Sequence, residues 1–120
     1  MDEHDTLATV VRDTLVNIAG VSGTAAKHLR PGQSLIADLG LDEVDLEVLA
    51  GCQCRLGNRL RRDRGATRVD GEDLRDGTVA DVVMLTVRRA LGRRLDPAEA
   101  RELIARAQAG LRGAGGALPG

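Results

Sequence analysis

The residues of this chain that could carry chemistry form an acidic group, a basic group and a pair of cysteines. Between positions 31 and 54 there are five acidic residues and no basic one: Asp38, Asp42, Glu43, Asp45 and Glu47. The following stretch has six arginines against the single Asp63: Arg55, Arg59, Arg61, Arg62, Arg64 and Arg68. An acidic surface suits a partner lined with arginine. Clustered arginines suit phosphate groups, or they complement the C-terminal end of a helix.

Neither the cysteines nor the histidines predict a metal or catalytic site. Cys52 and Cys54 are two residues apart, whereas a structural zinc site uses four ligands and usually a wider spacing. His4 and His28 are remote from them in sequence. Because no nucleophile–base pair or glycine-rich phosphate loop occurs either, we predict that the chain is not an enzyme and has no catalytic residue.

The overall composition narrows the classes of partner. The net charge is −1 and there is no Phe, Tyr or Trp, so neither a strong positive field nor aromatic stacking favours nucleic acid. No apolar run approaches the length of a membrane span, and the acidic N-terminus does not predict a signal peptide. We therefore expect a cytoplasmic protein without a membrane partner, in which nucleic-acid binding is a minor alternative.

Apolar spacing predicts an all-α fold. A first helix is expected over about Asp5–Ala19, capped by Asp5 or Thr6 and ended by Gly20. After a long connection, Asp42 with Asp45 three residues later predicts the capped start of a second helix. The apolar face predicted for that helix consists of Val44, Val48, Leu49, Cys52, Leu56 and Leu60.

The second half of the chain predicts three further helices. After a basic loop over 61–67, Asp70 starts a helix of one turn and Thr78 caps a core helix. The sequence Asp96-Pro97-Ala98-Glu99 is a capped helix start with proline at its first position. We predict a helical bundle over residues 1–95, an additional helix over 96–112 and a disordered tail over 113–120. Cys52 is expected in the core, whereas Cys54 should point to another side of the helix and could be exposed.

One stretch of the chain resembles the acyl carrier proteins. In that family an apolar-Gly-Val sequence ends the first helix, and a long loop then leads to an Asp-Leu-Gly-x-Asp-Ser-Leu-Asp motif that opens the second. Here Ile18-Ala-Gly-Val21 is followed by Asp38-Leu-Gly-Leu-Asp42-Glu-Val-Asp45, and Thr78-Val79 is similar to the start of the family's last helix. The resemblance covers about residues 7–91. It implies a bundle of three main helices with a short one, to which the helix from Asp96 is an addition.

The resemblance also implies a cofactor whose attachment residue is missing. Carrier proteins bear 4′-phosphopantetheine on the serine of the motif, and its thiol carries the acyl or peptidyl group. Glu43 occupies that position, and no hydroxyl residue occurs between Ser34 and Thr67. A carboxylate cannot form the phosphodiester that an alcohol forms, so we expect no phosphopantetheine and no other cofactor.

We therefore expect a carrier-like module of fatty-acid, polyketide or other specialised-metabolite biosynthesis that acts by noncovalent contact with the enzymes of its pathway. The predicted partner-binding residues are Leu41, Asp42, Glu43, Val44, Asp45 and Glu47. Glu43 is either a favourable charge at a helix start or a mimic of the phosphodiester of a loaded carrier. The additional helix from Asp96 could cover the mouth of the bundle, pack on a partner or form a dimer through its apolar stripe. A carrier loaded at another hydroxyl and an arginine-cluster nucleic-acid module are the alternatives.

Overall fold

The computed structural model describes the backbone of residues 3–60 and 66–117 and the side chains of residues 5–60 and 66–111. It is a helical bundle, as the sequence predicts. Its helices are α1 (Glu3–Ser22), α2 (Glu43–Leu60), α3 (Gly71–Leu74), α4 (Val79–Leu91) and α5 (Pro97–Ala117), with a 3₁₀ turn at Ala26–His28. The described residues contain no strand, only an isolated bridge between Ser34 and Thr78.

The core lies where α1, α2 and α4 pack against one another. It is aliphatic throughout, since the chain has no aromatic residue. Its largest fully buried apolar side chains come from α1, the long loop, α2, α3 and α5: Leu15, Ile18, Leu35, Leu46, Leu49, Leu56, Leu74 and Ile104.

The predicted caps of the later helices are confirmed. The side chains of Asp70 and Thr78 each accept a hydrogen bond from the amide three residues on. Their own amides donate to the carboxylates of Asp73 and Asp81, which completes the capping-box arrangement. At α5 the Glu99 amide donates to the Asp96 carboxylate at 2.8 Å. Each of these signals lies within four consecutive residues, so it does not depend on how the bundle packs.

The bounds of two helices differ from the prediction. α1 continues past Gly20 to Ser22, and the left-handed Gly23 (φ 78°) follows, its amide bonded to the Ala19 carbonyl. The extra turn lets Val21 pack against the core. α5 extends to Ala117, five residues beyond the predicted end. Residues 118–120 of the predicted tail, and 61–65 of the predicted basic loop, lie outside the described residues.

The additional helix α5 packs on the bundle itself, against α1, α4 and the 3₁₀ turn. Its apolar stripe buries Ala100 and Ile104 completely. The Gln108 side-chain amide donates to the carbonyl oxygens of Ala26 (3.0 Å) and Leu29 (2.5 Å), which fixes α5 to the turn. The stripe therefore has an apolar neighbour within the chain, and self-association through it stays a prediction.

The predicted apolar face of α2 is wrong. Val44 and Val48 are exposed, and the buried residues are Leu46, Leu49, Ala50, Gln53, Leu56 and Gly57. Of the predicted face, Leu49 and Leu56 are buried and Leu60 packs partly buried against the core. The true core face contains a glutamine, an alanine and a glycine, which a hydropathy pattern ranks low, while the two valines four residues apart give a stronger periodic signal on the opposite side.

Candidate functional site at the start of helix α2

The loop before α2 is held in place by its own polar side chains. The Ser34 amide donates to the Asp38 carboxylate at 2.7 Å, and the Ala37 amide donates to the Ser34 hydroxyl at 3.1 Å. Gly40 has φ +71°, a left-handed conformation that glycine adopts at little cost. The glycine of the Asp-Leu-Gly sequence is thus required by the turn that brings the chain to α2.

The loop is also attached to α4. The amides of Val79 and Ala80, at the start of α4, donate to the carbonyls of Gln33 and Pro31 at 3.0 Å each. The Leu35 amide donates to the Gly77 carbonyl at 3.1 Å. The first amides of a helix have no partner within it. Here the loop carbonyls accept from two of these amides. The packing of α4 in the bundle therefore sets the position of the loop.

Leu41 differs from the other predicted partner-binding residues because it is buried. Its side chain is only 3% exposed and its amide donates to the Leu35 carbonyl at 3.0 Å. It anchors the end of the loop in the core. Leu41 therefore positions the residues that follow it, and its contact with a partner stays a prediction.

Asp42 caps α2 as predicted. Its carboxylate accepts from the Asp45 amide at 2.8 Å, and the Asp45 carboxylate accepts from the Asp42 amide at 3.1 Å. Both carboxylates lie at the positive end of the helix dipole, which stabilises negative charge. These two acids accordingly have a structural role in addition to any contact with a partner.

Glu43 opens α2 and is exposed to solvent. Its side chain is 84% exposed, and Arg75, its ion-pair partner after α3, lies 3.7 Å away. An exposed pair of this length contributes little to stability. The structure therefore presents whatever residue stands at position 43 to an approaching protein.

Val44 and Val48 form an apolar stripe beside these acids. The side chains are 70% and 50% exposed, and their four-residue spacing puts them on one face of α2. No other residue of α2 is among the exposed large hydrophobic residues; elsewhere in the described chain these are Val16 on α1 and Ile36 in the loop. A valine pair in water with acidic neighbours is a surface that a partner could cover.

Glu47 connects this region to α3. Its carboxylate accepts from the Gly71 amide at 3.1 Å, and any side-chain carbon at position 71 would overlap Glu47. α3 is itself held by Arg89 of α4, which bonds both the Asp73 carboxylate and the Arg68 carbonyl at 2.8 Å. That hydrogen bond from Arg89 lowers the pKa of Asp73 and raises the pKa of the guanidinium.

A shallow cleft of about 210 Å³ separates the start of α2 from α3. Its walls carry three carboxylates and one guanidinium, and it is lined by Glu43, Leu46, Glu47, Gly71, Glu72 and Arg75. Nothing in the described residues groups three or more His, Cys, Asp or Glu so that they could hold a metal ion. We read the cleft as part of the acidic surface around Glu43.

The residues at the start of α2 do not fit a phosphopantetheine arm. Attachment needs a hydroxyl oxygen, and residues 42–45 offer carboxylates and one valine. The nearest preceding hydroxyl, on Ser34, accepts a loop amide as part of the turn. The chemistry of this position is therefore that of a fixed negative charge at a helix N-terminus.

The C-terminal half of α2 holds residues that the sequence interpretation missed. Gln53 is completely buried, and its side-chain amide donates to the Thr14 and Thr86 hydroxyls at 2.9 and 2.8 Å. Its carbonyl oxygen accepts from the Asn17 amide at 2.8 Å. One glutamine thereby joins α1, α2 and α4. A polar residue inside an apolar period was its only sequence signal.

The two cysteines have exchanged the roles predicted for them. Cys54 packs against the core, and its thiol donates to the Val69 carbonyl at 3.2 Å and accepts from the Val69 amide at 3.3 Å. Cys52 instead lies on the outer side, where the Arg55 guanidinium approaches its sulfur at 3.4 Å. Both are free thiols. The error follows from the mistaken apolar face of α2.

Comparison with known proteins assigns no family to this chain. Neither a protein-family model, nor a curated protein, nor a solved structure matches this chain. Among the described helices none is both long and apolar enough to cross a membrane.

Proposed function

We propose that this chain is an acyl-carrier-like module that acts by noncovalent contact with enzymes of fatty-acid, polyketide or other specialised-metabolite biosynthesis. The observation that carries the proposal is the exposed Val44–Val48 stripe, set among carboxylates at the start of α2. Its partner would offer an apolar contact rimmed by arginine or lysine. Such charge complementarity speeds and orients association more than it tightens it.

Three features support the carrier-like part of the proposal. The order of elements agrees with the resemblance: a first helix, a long loop, a second helix, a one-turn helix and a last core helix. The Asp-Leu-Gly sequence forms a turn in which Gly40 is left-handed. Position 43 stands on the surface at the helix start, where a modifying enzyme could reach it.

Glu43 is the residue that sets the proposed mode of action. Its carboxylate places a permanent negative charge where the family carries a phosphodiester, and a helix N-terminus accommodates either anion. A partner would then recognise this protein as if it were always loaded. It would serve as a scaffold, a modulator of a partner enzyme or a decoy carrier, within the cytoplasm.

Restoring the alcohol tests the carrier-like surface. The wild-type chain, Glu43→Ser and Asp42→Ser are each incubated with a promiscuous phosphopantetheinyl transferase and coenzyme A, and intact mass is measured. We expect one added arm on Glu43→Ser only. Asp42→Ser is the matched control, because serine also caps helices well and moves the hydroxyl by one residue.

The outcomes separate the proposal from its alternative. An arm on the wild-type chain would establish a carrier loaded at another hydroxyl and end the noncovalent proposal. If Glu43→Ser were not loaded, the resemblance to carrier proteins would no longer support the proposal. In the Glu43→Ser background, Val44→Lys should slow loading at least tenfold, whereas Val16→Lys, at the 47% exposed valine of α1, should leave it within about twofold.

A further inference from the structure

A separate cavity lies on the outer side of the basic half of α2. It has a volume of about 580 Å³ and is lined by Asn17 of α1 and by Cys52, Arg55, Asn58 and Arg59 of α2. Sites for small ligands in proteins span roughly 300–1,000 Å³. This cavity is not part of the acidic surface around Glu43 and shares no lining residue with it.

The two guanidinium groups of the cavity have no acidic partner in the described part of the chain. None of the ion pairs there involves Arg55 or Arg59. Like charges four residues apart on a helix are destabilising by a few tenths of a kcal/mol. The helix dipole favours Arg59, in the last turn of α2, but Arg55 precedes that turn. The repulsion between Arg55 and Arg59 therefore costs free energy, and a bound anion would remove that cost.

The amide side chains of the cavity are held in fixed orientations. The Asn58 carbonyl oxygen accepts from the Thr67 amide at 2.6 Å, which leaves its NH₂ group as a donor. The Asn17 NH₂ group donates to buried Gln53, which leaves its carbonyl oxygen as an acceptor. The cavity thus combines two cations, an oriented donor and an oriented acceptor.

We propose that this cavity binds the phosphate group of a phosphorylated ligand. Arg55 and Arg59 would each offer the planar fork that matches phosphate oxygens, and Asn58 would add a neutral donor. The Asn17 carbonyl oxygen would accept from a hydroxyl of the same ligand. Cys52 forms the wall beside Arg55, so a bound ligand covers its thiol.

Calorimetric titration of the full chain tests the proposal with pyrophosphate, ADP and adenosine as probes. We expect pyrophosphate and ADP to bind and adenosine not to bind. The double variant Arg55→Gln, Arg59→Gln should weaken binding at least tenfold. The matched variant Arg30→Gln, Arg101→Gln removes the same charge from exposed arginines outside the two cavities. Its affinity for pyrophosphate should stay within twofold of the wild-type value.

Alkylation of the wild-type chain by iodoacetamide gives an independent measurement. Pyrophosphate should slow the reaction of Cys52 and leave that of Cys54 unchanged, because the sulfur of Cys54 is engaged by the Val69 backbone. Protection of Cys52 without protection of Cys54 requires the ligand to bind at the cavity. Equal rates with and without pyrophosphate would overturn the assignment.

A single-stranded oligonucleotide distinguishes the source of the phosphate. Tight binding that falls steeply with salt and depends on Arg55 and Arg59 assigns the phosphate to nucleic acid. Binding of ADP but not of the oligonucleotide assigns it to a small molecule. The proposal is overturned if no probe binds at physiological salt, or if both double variants weaken binding equally.

Discussion

The two halves of α2 are built in opposite ways. In the first half, apolar Val44 and Val48 face the solvent beside carboxylates. In the second half, polar Gln53 is completely buried and the outer surface is basic. Each half breaks the ordinary rule that apolar residues lie inside and polar residues outside. The first departure leaves a surface available to a partner, whereas the second joins three helices. We therefore expect the exposed valines to serve partner contact and the buried glutamine to serve stability.

The largest effect is expected at Gln53. Gln53→Leu leaves the buried Thr14 and Thr86 hydroxyls without their common partner, and such groups cost about 1–3 kcal/mol each when left unsatisfied in the interior. We expect the free energy of unfolding to fall by about 3 kcal/mol, measured by urea denaturation.

A compensating variant sharpens this prediction. Thr14→Val and Thr86→Val, added to Gln53→Leu, replace both hydroxyls by apolar groups of similar shape. Replacing all partners of a buried hydrogen bond in this way changes the free energy of unfolding little. Most of the lost stability should return. If the triple variant were less stable than Gln53→Leu alone, the hydrogen bonds of Gln53 would not be what makes this half of α2 structural.

The second largest effect is expected at Gly57. A Cβ there would lie 2.3–2.7 Å from the Thr67 side chain, because the segment before α3 passes close over the helix. Gly57→Ala should therefore reduce stability by about 1–3 kcal/mol through overpacking. Thermal unfolding monitored by circular dichroism measures this loss of stability.

Gly51 is the matched control on the same helix. A Cβ at position 51 meets only an Arg55 nitrogen at 3.5 Å, which is ordinary contact. Gly51→Ala should then stabilise by about 0.5–1 kcal/mol through the higher helix propensity of alanine. Equal effects of the two substitutions would contradict the close approach of Thr67 to α2.

The smallest effect is expected in the first half of α2. Val44→Ser and Glu43→Gln change exposed side chains, so each should shift the free energy of unfolding by no more than about 0.5 kcal/mol. Urea denaturation gives this value. A loss above 1 kcal/mol for Val44→Ser would mean that the valine supports the fold, and the contrast between the halves would disappear.

The starts of the helices could be predicted because their signals are local. Asp42, Asp70, Thr78 and Asp96 each cap a helix, and each cap needs only residues within the next three positions. The end of α1 did not follow from the sequence, because both Gly20 and Gly23 could end a helix and contact of Val21 with the core favours the later one.

The sequence by itself determined that this chain forms capped helices, has an aliphatic core and lacks an alcohol at the start of α2. Only the tertiary structure decided which side of α2 faces the core. Gln53 is buried because hydroxyls on two other helices satisfy its amide, and Gly57 is buried because a distant segment packs on it. Those partners lie 33 and 39 residues away for Gln53, beyond the reach of any local periodicity. The exposed valines and the arginine-lined cavity follow from that same choice of face.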